Sequence, residues 1–386
     1  MSDVDYYKHI QENIKELLYG NIGFHRLEKN LIETKQNNFI EQNQNLIVVS
    51  CHFCIKIPYA GVFHDYEIIF NPDNFNELPD FHFNFMEFLD LDINYITENI
   101  PTWENWDLTN SKSLLNILNE FHILYKKYLL KVINQNPYSH IKKEYNELME
   151  LLHITEDKIE VLPSDKNCMD QTNSEYSNDD ISAFFCICLP IDSNALPEYY
   201  QENCDDMLNP GDDFAKLCIG KKGSDGRAVH LSLSPRIQQF LGFVELPKFA
   251  RDNTVSKYVL RVKHILDEKI RITSEQYKNK HLFVSALVET FSNGIVEYDT
   301  RKFSNIKVHF LYENLDDYNC LVSVTLDGKP KERPRIELQS LYCQVGPSCN
   351  ISTFFAYQPG ALIEDNLAKI KNFLQIETFR LKNHKH

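Results

Sequence analysis

Residues 55–83, IKIPYAGVFHDYEIIFNPDNFNELPDFHF, and residues 103–129, WENWDLTNSKSLLNILNEFHILYKKYL, decide the fold. At the start of the first stretch, Phe53, Ile55 and Ile57 alternate with Cys54 and Lys56, the period of a half-buried strand. Pro58 is expected to end that strand, and Tyr59-Ala60-Gly61 to turn the chain into a further strand at 64–71. Pro72 and Pro79 then close a β-meander. The second stretch is a Trp-marked loop with a capping cluster at Thr109-Asn110-Ser111. A helix follows, lining up Leu114, Leu118, Phe121, Tyr125 and Tyr128.

Meander, proline-bounded turn, Trp loop and helix, in that order, resemble a ubiquitin-conjugating (E2) fold. An active E2 carries a nucleophilic cysteine between the two pieces, and from Met86 to Trp106 there is none. An E2-shaped body without that thiol is expected to bind rather than catalyse.

The chain has 386 residues, enough for two or three units. Its apolar fraction is 43%, with 25 Phe and 20 Tyr, which suffices for ordinary cores. The 40 basic against 55 acidic residues give a net charge of −15, which argues against direct nucleic-acid binding, since that depends on clustered Lys and Arg. The first residues, MSDVDYYKHIQENIKELL, carry acidic side chains and no apolar core of a secretory signal. No stretch reaches the roughly 18 apolar residues of a membrane span. The expectation is an intracellular protein without membrane partners, whose ten cysteines are reduced thiols.

Further along, apolar spacing predicts a helix at 4–18 and strands at 25–34 and 46–57. Another helix is expected at 138–153 and a polar mobile linker at 163–180. Strands are expected at 182–189, 214–219 and 228–233, separated by a polar stretch at 201–213 and by KKGSDGR at 221–227. The first order of elements then recurs: a helix at 254–270 and strands at 281–290, 294–299, 305–312 and 319–326. A turn from Pro330 to Pro334, Ile336-Glu337-Leu338 and a closing helix at 361–381 complete it. The fold class is therefore α+β, with tandem E2-variant units of antiparallel meander and flanking helices. The boundaries are 1–136, 137–250 and 251–386, the middle segment being an open case between a degenerate third unit and none.

IPYAG (57–61), EIIFN (67–71), ELPDF (77–81), LSLSPRI (231–237) with a following Leu-Gly, GIVEYD (294–299) and LQSLY (338–342) resemble, in this order, the BRE family. The resemblance implies a non-catalytic scaffold built from ubiquitin E2 variant (UEV) domains within the BRISC deubiquitinase and its nuclear sister complex. It implies as partners a JAMM-type zinc isopeptidase, an Abraxas-type scaffold and a MERIT-type von Willebrand A-like adaptor, the last through the C-terminal unit. It leaves room for ubiquitin, and for serine hydroxymethyltransferase through the assembled complex. The implied work is trimming of non-degradative polyubiquitin in the cytoplasm and nucleus. DNA-damage signalling, cytokine receptor signalling, apoptosis and mitosis are the processes it serves.

Nothing in the residues contradicts the absence of catalysis. Cys51 and Cys54 sit on a strand, and Cys343 and Cys349, in YCQVGPSCN, follow the second proline turn without a His-Pro-Asn triplet. C-H-F-C at 51–54 has zinc-like spacing, but positions three apart on a strand point to opposite faces, so the two thiols do not easily meet one ion. Cys186 and Cys188 share a face within an apolar strand, with no second ligand pair at zinc-knuckle spacing. The only His-x-His is His384/His386, with none of the other residues of a JAMM site after it. KKGSDGR lacks the phosphate-loop pattern and is expected to be a hairpin. Catalytic, cofactor and metal residues are therefore assigned to none, and residues binding ubiquitin or partners are left unassigned. The closing helix, with Lys369, Lys371, Arg380 and Lys382 off its apolar stripe, packs on its own sheet or serves a partner. Two alternatives stay open: a standalone ubiquitin- or peptide-binding module, and a conjugating enzyme with an unconventional cysteine.

Overall fold

The computed structural model describes residues 3–42, 45–74, 77–83, 93–135, 138–164, 182–197, 212–223, 226–249, 254–299, 306–314, 319–326, 333–342, 350–358 and 360–383. Helices and sheets alternate along them, and every strand pairing with a described register is antiparallel, so the chain is α+β. Two units emerge: residues 1–190, 215–232 and 247–261 form one, and residues 191–214, 233–246 and 262–386 the other.

The first unit opens with α1 (Asp3–Tyr19), then a short hairpin of β1 (Asn21–Ile22) and β2 (His25–Arg26). A four-stranded sheet follows in sequence order: β3 (Ile32–Gln42), β4 (Asn45–Tyr59), β5 (Val62–Ile69) and β6 (Asp80–Phe83). The single strand expected at 25–34 is thus β2, a 3-10 turn at Lys29–Leu31 and the start of β3. Along β5 the buried His64, Tyr66 and Ile68 alternate with more exposed neighbours, as the sequence period requires.

Pro58 does not end its strand. β4 continues to Tyr59, with Pro58 opposite Phe63 and Tyr59 opposite Val62 across a two-residue turn. Pairing alternates, so next to the hydrogen-bonded pair at the turn Pro58 faces away from β5. Its missing N–H points to the side where β3 has already stopped pairing, at Ile55.

After the sheet come α2 (Ile93–Asn99), α3 (Pro101–Glu104) and α4 (Ser113–Ile133). Leu114, Ile117, Leu118 and Phe121 of α4 meet Ile10 and Leu17 of α1 and Ile55, Ile57 and Ile68 of the sheet in one core. Phe121 takes Phe81, Phe83 and Trp103 edge-on at 5.2, 5.0 and 6.1 Å between centroids. The Trp-marked segment therefore closes the core over the helix.

The local cluster at 109–111 serves only the very start of α4: Asn110 accepts the Lys112 N–H on its side chain (3.1 Å) and the Ser113 N–H on its carbonyl (3.0 Å). The N-cap residue of the helix is Lys112, whose side chain makes no cap bond. Instead, buried Asn13 of α1 accepts the Leu114 N–H (3.1 Å) and donates to the carbonyls of Leu108 and His9 (3.0 Å each). A side chain from another helix satisfies an N–H that local residues leave open. Asn13→Ala is expected to lower the unfolding free energy by about 1–3 kcal/mol, measured by denaturant titration. A change below about 0.5 kcal/mol would show that the helix start does not depend on it.

α5 (Ser139–Leu152) leads to a second four-stranded sheet. Its strands are β7 (Ile159–Ser164), β8 (Ser182–Cys188), β9 (Ala215–Gly223) and β10 (Gly226–Leu233), in the order β10-β9-β8-β7. β7 was not foreseen, and it takes in the first two residues of the supposed linker; residues 165–181 lie outside the described residues, as does most of the polar stretch at 201–213. On one face Leu162 and Phe184 join the core of the first sheet. On the other, Ile159, Val161, Phe185 and Ile187 are buried, with α5 against β7. The hairpin at KKGSDGR is formed by β9 ending at Gly223 and β10 starting at Gly226.

The second unit contains α6 (Pro235–Leu241) and most of α7 (Val255–Thr290), whose residues up to Arg261 group with the first unit. The strand expected at 281–290 is helical: Phe283, Val284 and Leu287 are buried at a spacing of three to four, a helical period that local apolar enrichment obscured. A five-stranded sheet follows in sequence order: β11 (Ile295–Asp299), β12 (Ile306–Glu313), β13 (Asn319–Leu326), β14 (Arg335–Ser340) and the unforeseen β15 (Asn350–Phe354). α8 (Ile363–Asn383) lays Ile370, Leu374 and Leu381 on Val308, Phe310 and Val322 of that sheet, so its apolar stripe is spent within its own unit. Lys369, Lys371 and Arg380 remain exposed, while His384 and His386 lie outside the described residues. Among the described residues no helix is long and apolar enough to cross a membrane.

Candidate functional site

Residues 84–92, most of the segment where an E2 would carry its thiol, lie outside the described residues, and the sequence itself has no cysteine there. Of the ten cysteines, Cys51, Cys54, Cys186, Cys188, Cys218 and Cys320 are described, and none of these six is exposed. Burial raises the thiols of Cys54, Cys188 and Cys320, which makes them weak nucleophiles near neutral pH. Cys343 and Cys349 lie outside the described residues.

The most concentrated chemistry lies elsewhere, around Glu160 of β7, which is 0% exposed. His25 Nε2 lies 3.0 and 2.9 Å from its two carboxylate oxygens, and His122 Nε2 of α4 lies 3.0 Å from Oε1. The Ala60 N–H donates to Oε2 at 2.7 Å. Burial works to raise the Glu160 carboxyl, but attraction to His25 and the hydrogen bonds from His122 and His25 outweigh it and hold it at about 2. Burial in turn lowers His25, against the pull of Glu160. The coherent state is a carboxylate anion held by two imidazole N–H groups and a backbone N–H, its charge replaced in its hydration by fixed donors.

Local conformation serves this arrangement. Ala60 and Gly61 at the β4–β5 turn have φ of 49° and 84°, the two positive values of a type I′ turn. Left-handed backbone costs an alanine about 1–2 kcal/mol, which the hydrogen bond to Glu160 offsets. A Cβ at Gly61 would lie 3.2 Å from the Cβ of Cys218, so glycine also lets the turn approach β9. Gly23 (φ 59°) does the same beside His122, whose ring would be 2.5 Å from a Cβ there.

Strand register completes the cluster. Glu160 pairs with Cys186, and Cys186 with Cys218, so three neighbouring strands present carboxylate, thiol and thiol in one row on one face. The two sulfurs are 2.9 Å apart. Their contact and burial together push the Cys186 thiol up. Ligand atoms of His25, Glu160 and Cys186 all lie within 4.8 Å of one another, a set capable of holding a metal ion. In the sequence, Cys186 stands at same-face spacing with Cys188. Its actual companions stand 161 and 26 positions before it and 32 after it. The one legible signal was an acid flanked by Ile159 and Val161 in an apolar run.

A second polar hub lies in the other unit. Ser234 caps α6 by accepting the Ile237 N–H, and Pro235 occupies the first turn, where no N–H is missed. Arg236 then pairs with Asp213 and donates to the carbonyls of Pro197 (2.8 Å), Ser193 (3.2 Å) and Leu196. Asp213 also accepts from Ser193 (2.5 Å) and Ser234 (3.1 Å). LSLSPRI is thus a helix start joined to an ion pair that holds the chain at 193–197.

A family profile described as Brain and reproductive organ-expressed protein (BRE) matches residues 23–344. The chain belongs to the BRE family. It is similar to a Danio rerio protein named "BRISC and BRCA1-A complex member 2", 27% identical over 298 residues, covering 75% of this chain and 72% of that protein. A Branchiostoma floridae protein of the same name is 26% identical over 337 residues, covering 83% of this chain and 81% of that protein. Two of the BRE-like strings have identifiable work: IPYAG delivers the Ala60 N–H to Glu160, and LSLSPRI builds the Arg236 hub.

Proposed function

We propose that this BRE-family chain is a non-catalytic scaffold subunit of a JAMM-type deubiquitinase assembly, of the BRISC kind and its nuclear counterpart. The observation that carries this reading is the family match over residues 23–344, together with relatives whose names state membership of those complexes. Two features support it, one of sequence and one of structure. The sequence between Met86 and Trp106 offers no thiol, and the described thiols are shielded. In this reading the segments 1–136 and 251–386 are UEV-like units and 137–250 is a degenerate one. The C-terminal unit meets a MERIT-type adaptor, and the remainder meets an Abraxas-type scaffold and the zinc isopeptidase. The protein works in cytoplasm and nucleus, where the assembly trims non-degradative polyubiquitin.

Co-expression with an isopeptidase, an Abraxas-type and a MERIT-type subunit tests this. One co-eluting assembly is expected, with isopeptidase activity that survives mutation of every cysteine in this chain that can be replaced without unfolding it. A free monomer under these conditions would remove the scaffold reading. So would a thiol-sensitive ubiquitin adduct formed on this chain with activating enzyme and ATP, which the conjugating-enzyme alternative requires.

A further inference from the structure

The carboxylate clamp accounts for Glu160, His25, His122 and the Ala60 N–H. It does not account for two thiols placed in the same cross-strand row and on the same face, Cys186 beside the carboxylate and Cys218 one strand beyond it. An apolar pair would pack there equally well, as Leu162 and Phe184 do one step along the same face. What the row adds is a change of donor type, from oxygen and nitrogen to sulfur, at one buried point.

We propose that His25, Glu160 and Cys186, whose ligand atoms lie within 4.8 Å of one another, form a structural zinc site, with Cys218, outside that set but 2.9 Å from the Cys186 sulfur, turning in as fourth donor. Zinc takes four ligands from Cys, His and carboxylate in a tetrahedron, with about 2.0–2.1 Å to nitrogen or oxygen and about 2.3 Å to sulfur. Those lengths place neighbouring nitrogen and oxygen ligands about 3.3 Å apart and two sulfurs about 3.7 Å apart. His25 Nε2 already lies 2.9 and 3.0 Å from the Glu160 oxygens. Cys186 and Cys218 open from 2.9 Å by less than an ångström, within the rotamer freedom of two cysteines. When zinc enters, the proton on His25 Nε2 moves to Nδ1 and the thiol protons leave to solvent.

The surroundings meet the usual needs of such a site. A ligating carboxylate is ordinarily held by outer hydrogen bonds, and Glu160 has them from His122 and the Ala60 N–H. Zinc with one carboxylate and two thiolates carries one net negative charge. Lys216 is buried on β9 opposite Cys188; burial pushes its ammonium down while Cys186, Cys188, Cys218 and Glu160 pull it up, so it stands where a positive charge would balance the site.

The test uses the full chain purified from zinc-supplemented cells and exchanged against a weak chelator. Elemental mass spectrometry is expected to find about one zinc per chain. Cys186→Ala and His25→Gln are expected to lose it, while His52→Gln, in the half-buried His52–Glu67 pair, keeps it. His122→Gln is expected to weaken zinc binding about 10–100-fold. If the ligand variants fail to fold, cobalt exchange into the unmodified chain decides, because cobalt on these residues shows a thiolate charge-transfer band. A folded, metal-free chain that takes up neither zinc nor cobalt would overturn the proposal. So would cobalt bound without that band, zinc retained by a folded Cys186→Ala variant, or a Cys186–Cys218 disulfide in the intact mass.

Discussion

Glu160→Ala is expected to lower the unfolding free energy of the first unit by about 3–5 kcal/mol, measured by denaturant titration in chelator. The size follows from what remains rather than from what is removed. His25, His122 and the Ala60 N–H keep buried donors with no acceptor, and the left-handed Ala60 loses the bond that offsets its conformation. Glu67→Ala provides the contrast. Its bond to His52 is shorter, 2.6 Å, but the Glu67 side chain is 42% exposed, so the cost is expected to stay below about 1 kcal/mol. A Glu160→Ala loss no greater than that of Glu67→Ala would show that the carboxylate is not the clamp.

The same residue sets an acid response with a definite sign. Its carboxyl is held at about 2, below the ordinary value of 4.5, so its contribution is complete above about pH 4.5 and is lost as pH falls toward 2. A difference of that size corresponds to about 3 kcal/mol. In the unmodified chain, held in chelator, stability should therefore decline across that window. In Glu160→Gln, which has nothing to protonate there, this part of the decline is absent. Parallel stability curves for the two proteins between pH 5 and 2.5 would contradict the assignment.

Arg236→Lys is expected to be the second large effect, about 2–3 kcal/mol in the other unit. A guanidinium presents several donors in a fixed plane, and here they serve Asp213 and three carbonyls of the 193–197 segment together. An ammonium keeps the charge but cannot span that set. The readout is local: amide exchange at Leu196, whose N–H bonds to Ser193 O, should quicken at least tenfold, while amides of the Asn13–α4 junction are unchanged. Unchanged exchange at Leu196 would mean that the segment is held by something other than this ion pair.

Where local periodicity carries the information, the sequence was sufficient. α1, the β4–β5 hairpin, α4, α5, β8 to β10 and α8 all follow apolar spacing that needs no knowledge of neighbours. It failed where a neighbour decides the outcome. Pro58 looked terminal, yet is tolerated because β3 stops short of it. The start of α4 looked wholly local, yet only Asn110 serves it there, and the Leu114 N–H is taken by Asn13, about a hundred residues earlier. β7 went unseen because Glu160 interrupts an apolar run, and the residue that hid the strand is the one around which the cluster forms.

The sequence alone determined that no thiol stands between Met86 and Trp106, and that strings resembling the BRE family run in order along the chain. Both are properties of residue identity and order, which folding does not alter. The tertiary structure alone decided that His25, His122, Ala60, Glu160, Cys186 and Cys218 meet at one buried point. That meeting depends on strand register and on one sheet packing against the helix and turn of another. Neither leaves a periodic trace in any one segment, because the partners of each residue lie on separate elements and are joined only by packing.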